Sequence, residues 1–522
     1  MYQNIYYQRE RNLIHLWDDQ RGYSAFPYTR YAYEPAQRGE YKSIYGDTLT
    51  KIYKFKKDDV NLFESDVPET TRALVDMYSE TDDASTGHVI LTYDIECEMT
   101  SGLPDPLEAK NALTSIALHD SATDQYWVLV VDKEGGMKEK TTDKCIVFPF
   151  QDERDMLVKY LELYEMINPS IVTGWNIDYF DTPMLYNRIK RLLGERQANR
   201  LSPIGQCFWS PYRKRYFMAG VSYLDYISLY KNYNYGELAN YRLDTVAQKE
   251  LGKGKIEYEG NLDQLFKEDI EKFIEYNLND VEIVKALDQK FKLLDLARAV
   301  SHLGRIPYEE VYFSSRYIEG AMLVYLRSLG LVAPSKLPTA SYDGSESRFS
   351  GAYVKSPIPG RYDWVFDLDL TSMYPSVIMS LNISPEMKIG KINGWNGEEF
   401  IKGVPKTYSL EKNGKEQGHM NNEELKQMFD KNKVSISSNG ILYRNDKKGL
   451  IPSILSKWFD ERVEYKRLMK KYSDEGDVEQ SAYFKRRQHV QKIVLNSLYG
   501  VLGLPVFRFY DIDNAEATTV TG

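Results

Sequence analysis

Asp94 and Glu96, two residues apart, close an apolar run that begins at His88. On a strand, positions i and i+2 share a face, so both carboxylates can reach one cation. Gly174-Trp-Asn-Ile-Asp-Tyr-Phe-Asp181 follows a second apolar run and supplies a third carboxylate, Asp181. A fourth, Asp280, ends the string Tyr276-Asn-Leu-Asn-Asp280, and on a helix Tyr276 and Asp280 lie one turn apart on a common face. Four such acids repel one another, and a pair of Mg²⁺ ions relieves the repulsion. Two metals about 4 Å apart activate water and stabilise the leaving oxygen of a phosphodiester; Tyr276 is placed to orient that water. A D-x-E pair alone arises by chance in any acidic chain. Three such pieces on strand, turn and helix are harder to attribute to chance.

A second set suits a different reaction. Val365-Phe-Asp-Leu-Asp-Leu-Thr-Ser-Met-Tyr-Pro-Ser376 carries Asp367 and Asp369. Its apolar run, Trp364 to Leu370, predicts a short strand presenting these acids beside a tight turn. Arg462 and Lys466 share a helix face at i, i+4, and Lys492, Asn496 and Tyr499 share another at i, i+4, i+7. A carboxylate for a metal and cations for a polyphosphate are what nucleotidyl transfer requires. Arg forks a phosphate while Lys acts as a point charge. Seen alone, a basic helix face is usually just solvated.

These groups need elements to position them. Strand-like runs at His88–Asp94, Leu113–Leu118, Tyr126–Val131 and Ser170–Gly174 alternate with an amphipathic helix over Asp152–Ile167, which argues for an α/β domain with a mixed sheet. Residues 205–220 read as a hairpin with a basic turn, and Asp263–Ala299 as strongly helical. Ile454–Met469 and Ser481–Leu498 form a pair of antiparallel helices. Lys388–Lys448, rich in Gly, Asn and Lys, gives no clear pattern.

The first set resembles the three exonuclease motifs of the DEDD 3′→5′ exonucleases: D-x-E, N-x-x-x-F-D and Y-x-x-x-D, in order. The second resembles motifs A and B of family B DNA polymerases, D-x-x-S-L-Y-P-S and K-x-x-x-N-S-x-Y-G, most closely those of T-even-type phages. The resemblance runs from about residue 30 to the last residue. It implies that Asp369 is a metal ligand, with Met373 replacing the usual Leu. It also implies that Ser372 and Met373 flank the triphosphate, and that Tyr374 is a steric gate excluding the 2′-OH. Arg462, Lys466, Lys492 and Asn496 would then bind nucleotide, and Tyr499 and Gly500 would meet the nascent pair. Phe349-Ser-Gly351-Ala matches the family's Y-x-G-G/A element, with Phe for Tyr, and would guide DNA between the two sites. The helix pair is shorter than in the best-known T-even relatives.

The implied architecture is a multidomain α/β protein. Its expected parts are a β-rich N-terminal domain (1–88), an RNase H-like exonuclease domain (89–310), a return to the N-terminal domain or linker (311–348), a first part of the palm (349–450), helical-hairpin fingers (451–503) and a further piece of palm (504–522). Motif C, Y-x-D-T-D-S, does not occur after Gly500. Either a second chain carrying motif C and the thumb is the expected partner, or the sequence is a fragment of a longer polymerase; the other expected partners are primer-template DNA, dNTPs, a sliding clamp and a single-strand-binding protein. Mg²⁺, two ions per site, is the implied cofactor, with Mn²⁺ as a substitute. Two other readings stand beside this one: an exonuclease acting alone, and a non-catalytic single-stranded nucleic-acid-binding module.

Bulk composition is compatible with all three. The net charge of −9 speaks against a simple nucleic-acid-coating protein, yet an acidic enzyme can line one cleft with Lys and Arg. Most of the 42 tyrosines are expected as half-buried strand residues, with a minority stacking on bases. No stretch is apolar enough for a membrane span. Three cysteines in no metal-type spacing point to a reducing compartment, hence the cytoplasm, that of the bacterial host if the chain is phage-encoded.

Overall fold

The computed structural model describes residues 1–99, 102–233, 238–337, 351–370, 372–412, 414–432 and 434–522. Two compact units are present: residues 1–28, 80–302 and 306–312 form one, and 29–79, 303–305 and 313–522 the other. The N-terminal residues are thus divided between them.

The first unit is built on a mixed seven-stranded sheet. Its spatial order is Lys140–Thr141, Cys145–Phe150, Gln125–Val131, Leu113–Asp120, Ile90–Cys97, Ile171–Gly174 and Ser222–Asp225. The strands near the middle are antiparallel and those flanking them pair in parallel, except that Lys140–Thr141 at the edge pairs antiparallel with Cys145–Phe150. Alternation along Ile90–Cys97 sorts its side chains. Tyr93, Ile95 and Cys97 enter a core shared with Met156, Tyr160 and Met184 from the helices Glu153–Ile167 and Asp181–Leu193. Asp94 and Glu96 consequently point to the other face. There Ala117, Val128 and Val130 pack against Phe273, Ile274 and Tyr276 of the helix Ile270–Phe291.

The helical stretch after Asp263 is three helices, Leu262–Glu268, Ile270–Phe291 and Leu293–Gly304. Asp269 ends the first and caps the second, accepting the Lys272 N–H at 3.0 Å. Lys292, at φ 55°, separates the second from the third. The basic hairpin is present as Cys207–Ser210 and Arg215–Met218.

In the second unit, the stretch without a clear sequence pattern is a five-stranded antiparallel sheet. Its order is Lys415–Asn421, Thr407–Lys412, Lys388–Asn393, Ile441–Arg444 and Val434–Ile436, over a core of Ile392, Tyr408, Leu425 and Leu442. The helix pair runs over Leu450–Asp474 and Val478–Leu502, with Gly476 at φ 76° in the turn between them. Gln491 donates to Glu461 at 2.6 Å and Arg487 to the Tyr465 hydroxyl at 2.8 Å, which fixes the antiparallel register.

One expected element is not observed. Residues 351–370 form no strand, and Trp364 and Phe366 are 96% and 82% exposed. Apolar side chains favour a strand only when a neighbouring strand takes up the backbone N–H and C=O groups and covers one face. None of the described strands pairs with this run. The helix expected after it does form, over Met373–Leu381.

Candidate active sites

The first unit brings Asp94, Glu96 and Asp280 together: a carboxylate oxygen from each lies within 4.8 Å of the others, the one such metal-type group among the described residues. Asp181 joins them from the start of its helix, where its Oδ1 accepts the Ile95 N–H at 3.3 Å. The turn that delivers it is tightly built. Gly174 lets the chain pass beside the sheet, for a Cβ there would sit 2.5 Å from the Tyr93 carbonyl oxygen. Asn176, at φ 69°, donates its N–H to Asp225 at 2.9 Å. Asp178 is buried against Arg215 at 2.9 Å.

Burial and like charge act together on the acids. Burial, then the charges of Asp280, Asp181 and Glu96, hold the Asp94 carboxyl well above its usual range. Burial and Asp280 push Glu96 up to about 8. Burial raises Asp181 to about 7 against the pull of the Ile95 N–H. Asp280 is raised by burial, with Lys255 opposing.

Lys255 is the counter-charge. Its Nζ donates to Asp280 and, at 3.1 Å, to the Tyr276 hydroxyl. Burial alone would lower its pKa, but Asp280, Tyr276 and Asp94 outweigh that and raise it. Even so, Asp280 Oδ1 is buried with no hydrogen-bond partner among the described residues. Acceptor-only oxygens, one of them unpaired, in an excess of negative charge are a donor set that fits hard divalent cations.

In the second unit, the Tyr374 ring stacks on Tyr499 with centroids 4.1 Å apart and planes at 15°, and the Tyr499 hydroxyl meets Thr519 Oγ1 at 2.6 Å. Ser372 caps the Met373–Leu381 helix from φ 54°. Arg462 and Lys492 are half-buried on the two arms of the helix pair; Lys466, Asn496 and Gly500 are exposed. The acids are not gathered here. Asp367 and Asp369 lie in the exposed run and join no metal-type group among the described residues. Gly351 is exposed, and Phe349 lies outside the described residues.

Known proteins resemble the chain over much of its length. The family model "DNA polymerase family B, exonuclease domain" matches residues 48–246, and "DNA polymerase family B" matches 308–522. The chain carries domains of DNA polymerase family B. It is 31% identical over 496 residues to the DNA-directed DNA polymerase of Enterobacteria phage T4, covering 80% of this chain and 52% of the relative. Against the corresponding protein of Escherichia phage RB69 it is 28% identical over 512 residues, covering 83% and 53%. "DNA polymerase 1" of Sulfurisphaera ohwakuensis is 25% identical over 508 residues, with 92% and 50% covered. The chain thus spans about half the length of the curated relatives it matches.

Some residues that hold the exonuclease domain's acids in place are not singled out by the motifs. Asn277 Nδ2 donates to Asp94 at 2.8 Å and is itself held by the Ser115 hydroxyl at 2.7 Å. Asn277 sits inside Tyr276–Asp280, so position within that string was a clue. Lys255 stands in Gly252-Lys-Gly-Lys, with no spacing to the acids that could have flagged it.

Proposed function

We propose that this chain is the exonuclease-bearing part of a replicative DNA-directed DNA polymerase, removing misincorporated nucleotides from a primer 3′ end. The carboxylate cluster of Asp94, Glu96 and Asp280, with Asp181 beside it, carries this reading. The mixed sheet and the order of the motifs support an RNase H-like DEDD site. Asp94, Glu96, Asp181 and Asp280 would hold Mg²⁺ ions, which Mn²⁺ can replace. When bound, these ions supply Lewis acidity at the phosphate and lower the pKa of a bound water.

The chain's own residues do the positioning. The Tyr276 hydroxyl orients the attacking water, while Lys255 holds that hydroxyl and opposes the rise that burial imposes on Asp280. Asn277 fixes the rotamer of Asp94. Water oxygen bonds to phosphorus as the P–O3′ bond breaks, so a nucleoside monophosphate leaves and the primer keeps a 3′-hydroxyl.

In the polymerase half, Asp369 is the proposed metal ligand, with Asp367 beside it, and Tyr374 the sugar gate. Ser372, Met373, Arg462, Lys466, Lys492 and Asn496 would take the dNTP, and Gly351, Tyr499 and Gly500 the DNA. Further carboxylates are proposed to complete the site. A second reading, an exonuclease that acts alone, is favoured by one observation: the exonuclease acids are assembled and Asp367 and Asp369 are not.

The test is incubation with Mg²⁺ and a 5′-labelled primer-template, with and without dNTPs. Shortening without extension is the expected result. Extension by the chain alone would refute the need for further carboxylates, and an unchanged primer would refute the exonuclease.

A further inference from the structure

The helix pair carries a histidine that neither motif claims. His489 is half-buried on Val478–Leu502, between Lys485 and Lys492 at i, i+4, i+7, so the three share a stripe. The Gln491–Glu461 and Arg487–Tyr465 hydrogen bonds bracket His489 and set it level with Arg462 on the opposite arm. Arg462 Nε is buried and has no hydrogen-bond partner among the described residues. The imidazole thus shares its stripe with two ammonium groups, and the Arg462 guanidinium is close enough to act on it. Burial, then Lys492, Arg462 and Lys485, hold the imidazole below its ordinary value, leaving it neutral near pH 7.

No acid is among the charges that shift the imidazole. Along the seam Glu461 is engaged by Gln491 and Tyr465 by Arg487. The helices Ser314–Ser328, Met373–Leu381 and Ile512–Thr521 meet this arm further along, at Ser497 and Tyr499. A neutral imidazole among cations is poised to protonate when a polyanion arrives and reverses the local potential.

We propose that His489 is a further phosphate-binding residue of the helix pair, taking a proton from water when a nucleotide triphosphate binds and giving it back on release. The inference rests on the reading of the helix pair as the dNTP site. It makes nucleotide affinity dependent on pH in a way that Arg and Lys, charged throughout, cannot.

The experiment is calorimetric titration of the full chain with dATP across pH 6.5–8.5, in two buffers of different ionisation enthalpy, for wild type, His489→Gln, His489→Lys and Lys492→Ala. Linked uptake of one proton changes affinity by up to about tenfold per pH unit. The expected result is that wild type takes up more protons than His489→Gln, and that its affinity falls more steeply with pH. His489→Lys, charged at every pH, should hold its affinity at pH 8.5. Equal proton uptake and equal pH slopes in wild type and His489→Gln would overturn the assignment. Lys492→Ala separates the two failures: it should bind weakly at every pH, and undiminished binding there, or none by wild type, would overturn the dNTP site itself.

Discussion

At the scale of single residues, the exonuclease cluster is a set of acids held together against their own repulsion. Lys255 is the cation that offsets this in the absence of metal, through Asp280 and Tyr276. Lys255→Met should therefore destabilise the metal-free protein by about 2 kcal/mol, the scale of a hydrogen bond to a charged group. Saturating Mg²⁺ should recover much of that loss in a urea titration; an equal loss with and without Mg²⁺ would show that Lys255 is not the counter-charge. Asp94, Glu96, Asp181, Tyr276 and Asp280 were legible because each sits in a short string whose spacing is dictated by one strand, turn or helix. Lys255 was not, because its place depends on where a loop returns in three dimensions, and spacing along the chain does not encode that. Asn277 lay in view inside its motif, but its partner Ser115 belongs to a distant strand.

At the scale of elements, local pattern was sufficient where an element satisfies itself. The helix pair was read from its 3.6-residue period and observed with longer arms, because helices bond internally. The run Trp364–Leu370 was read as a strand from composition, and no strand formed, because a strand depends on a neighbour that composition does not reveal. The five-stranded sheet over Lys388–Arg444 was missed for the complementary reason: its core comes from single residues such as Tyr408 and Leu425 spread over short strands and a helix. The turn before Asp181 gives a direct element-level prediction. Gly174→Ala would place a Cβ 2.5 Å from both the Tyr93 carbonyl oxygen and Ile177 Cγ2. Such overpacking costs about 2 kcal/mol. It should also displace Asp181, so nuclease activity should fall more than the folded fraction does. Loss of stability alone, measured by denaturation beside a nuclease assay, would contradict this role for the turn.

At the scale of the whole molecule, those acids couple folding to pH and to metal. Each of Asp94, Glu96, Asp181 and Asp280 is raised by burial, so the folded chain keeps protons that the unfolded chain has released. The stability associated with them is complete below the unfolded values, about 4 for carboxyls. It is lost as pH rises through the folded values, about 7 for Asp181 and about 8 for Glu96. Metal-free protein should thus become less stable from pH 5 to 8, with a falling midpoint in thermal melts. Mg²⁺ should raise that midpoint more at pH 8 than at pH 6, since protons compete with the metal at the lower pH. A Mg²⁺ effect independent of pH would mean that these carboxyls are not its site.

The account's central claim is that Asp94, Glu96, Asp181 and Asp280 form a metal-dependent 3′→5′ exonuclease site. The most direct test is the single-turnover rate of 3′-nucleotide release from 5′-labelled single-stranded DNA in Mg²⁺, for wild type and for Asp94→Ala with Glu96→Ala. The predicted result is a fall of at least about 10³-fold, the scale on which removing one group that stabilises transition-state charge acts. Folding should be intact, with a metal-free melting midpoint no lower than that of wild type. Undiminished release by the folded double variant would contradict the claim.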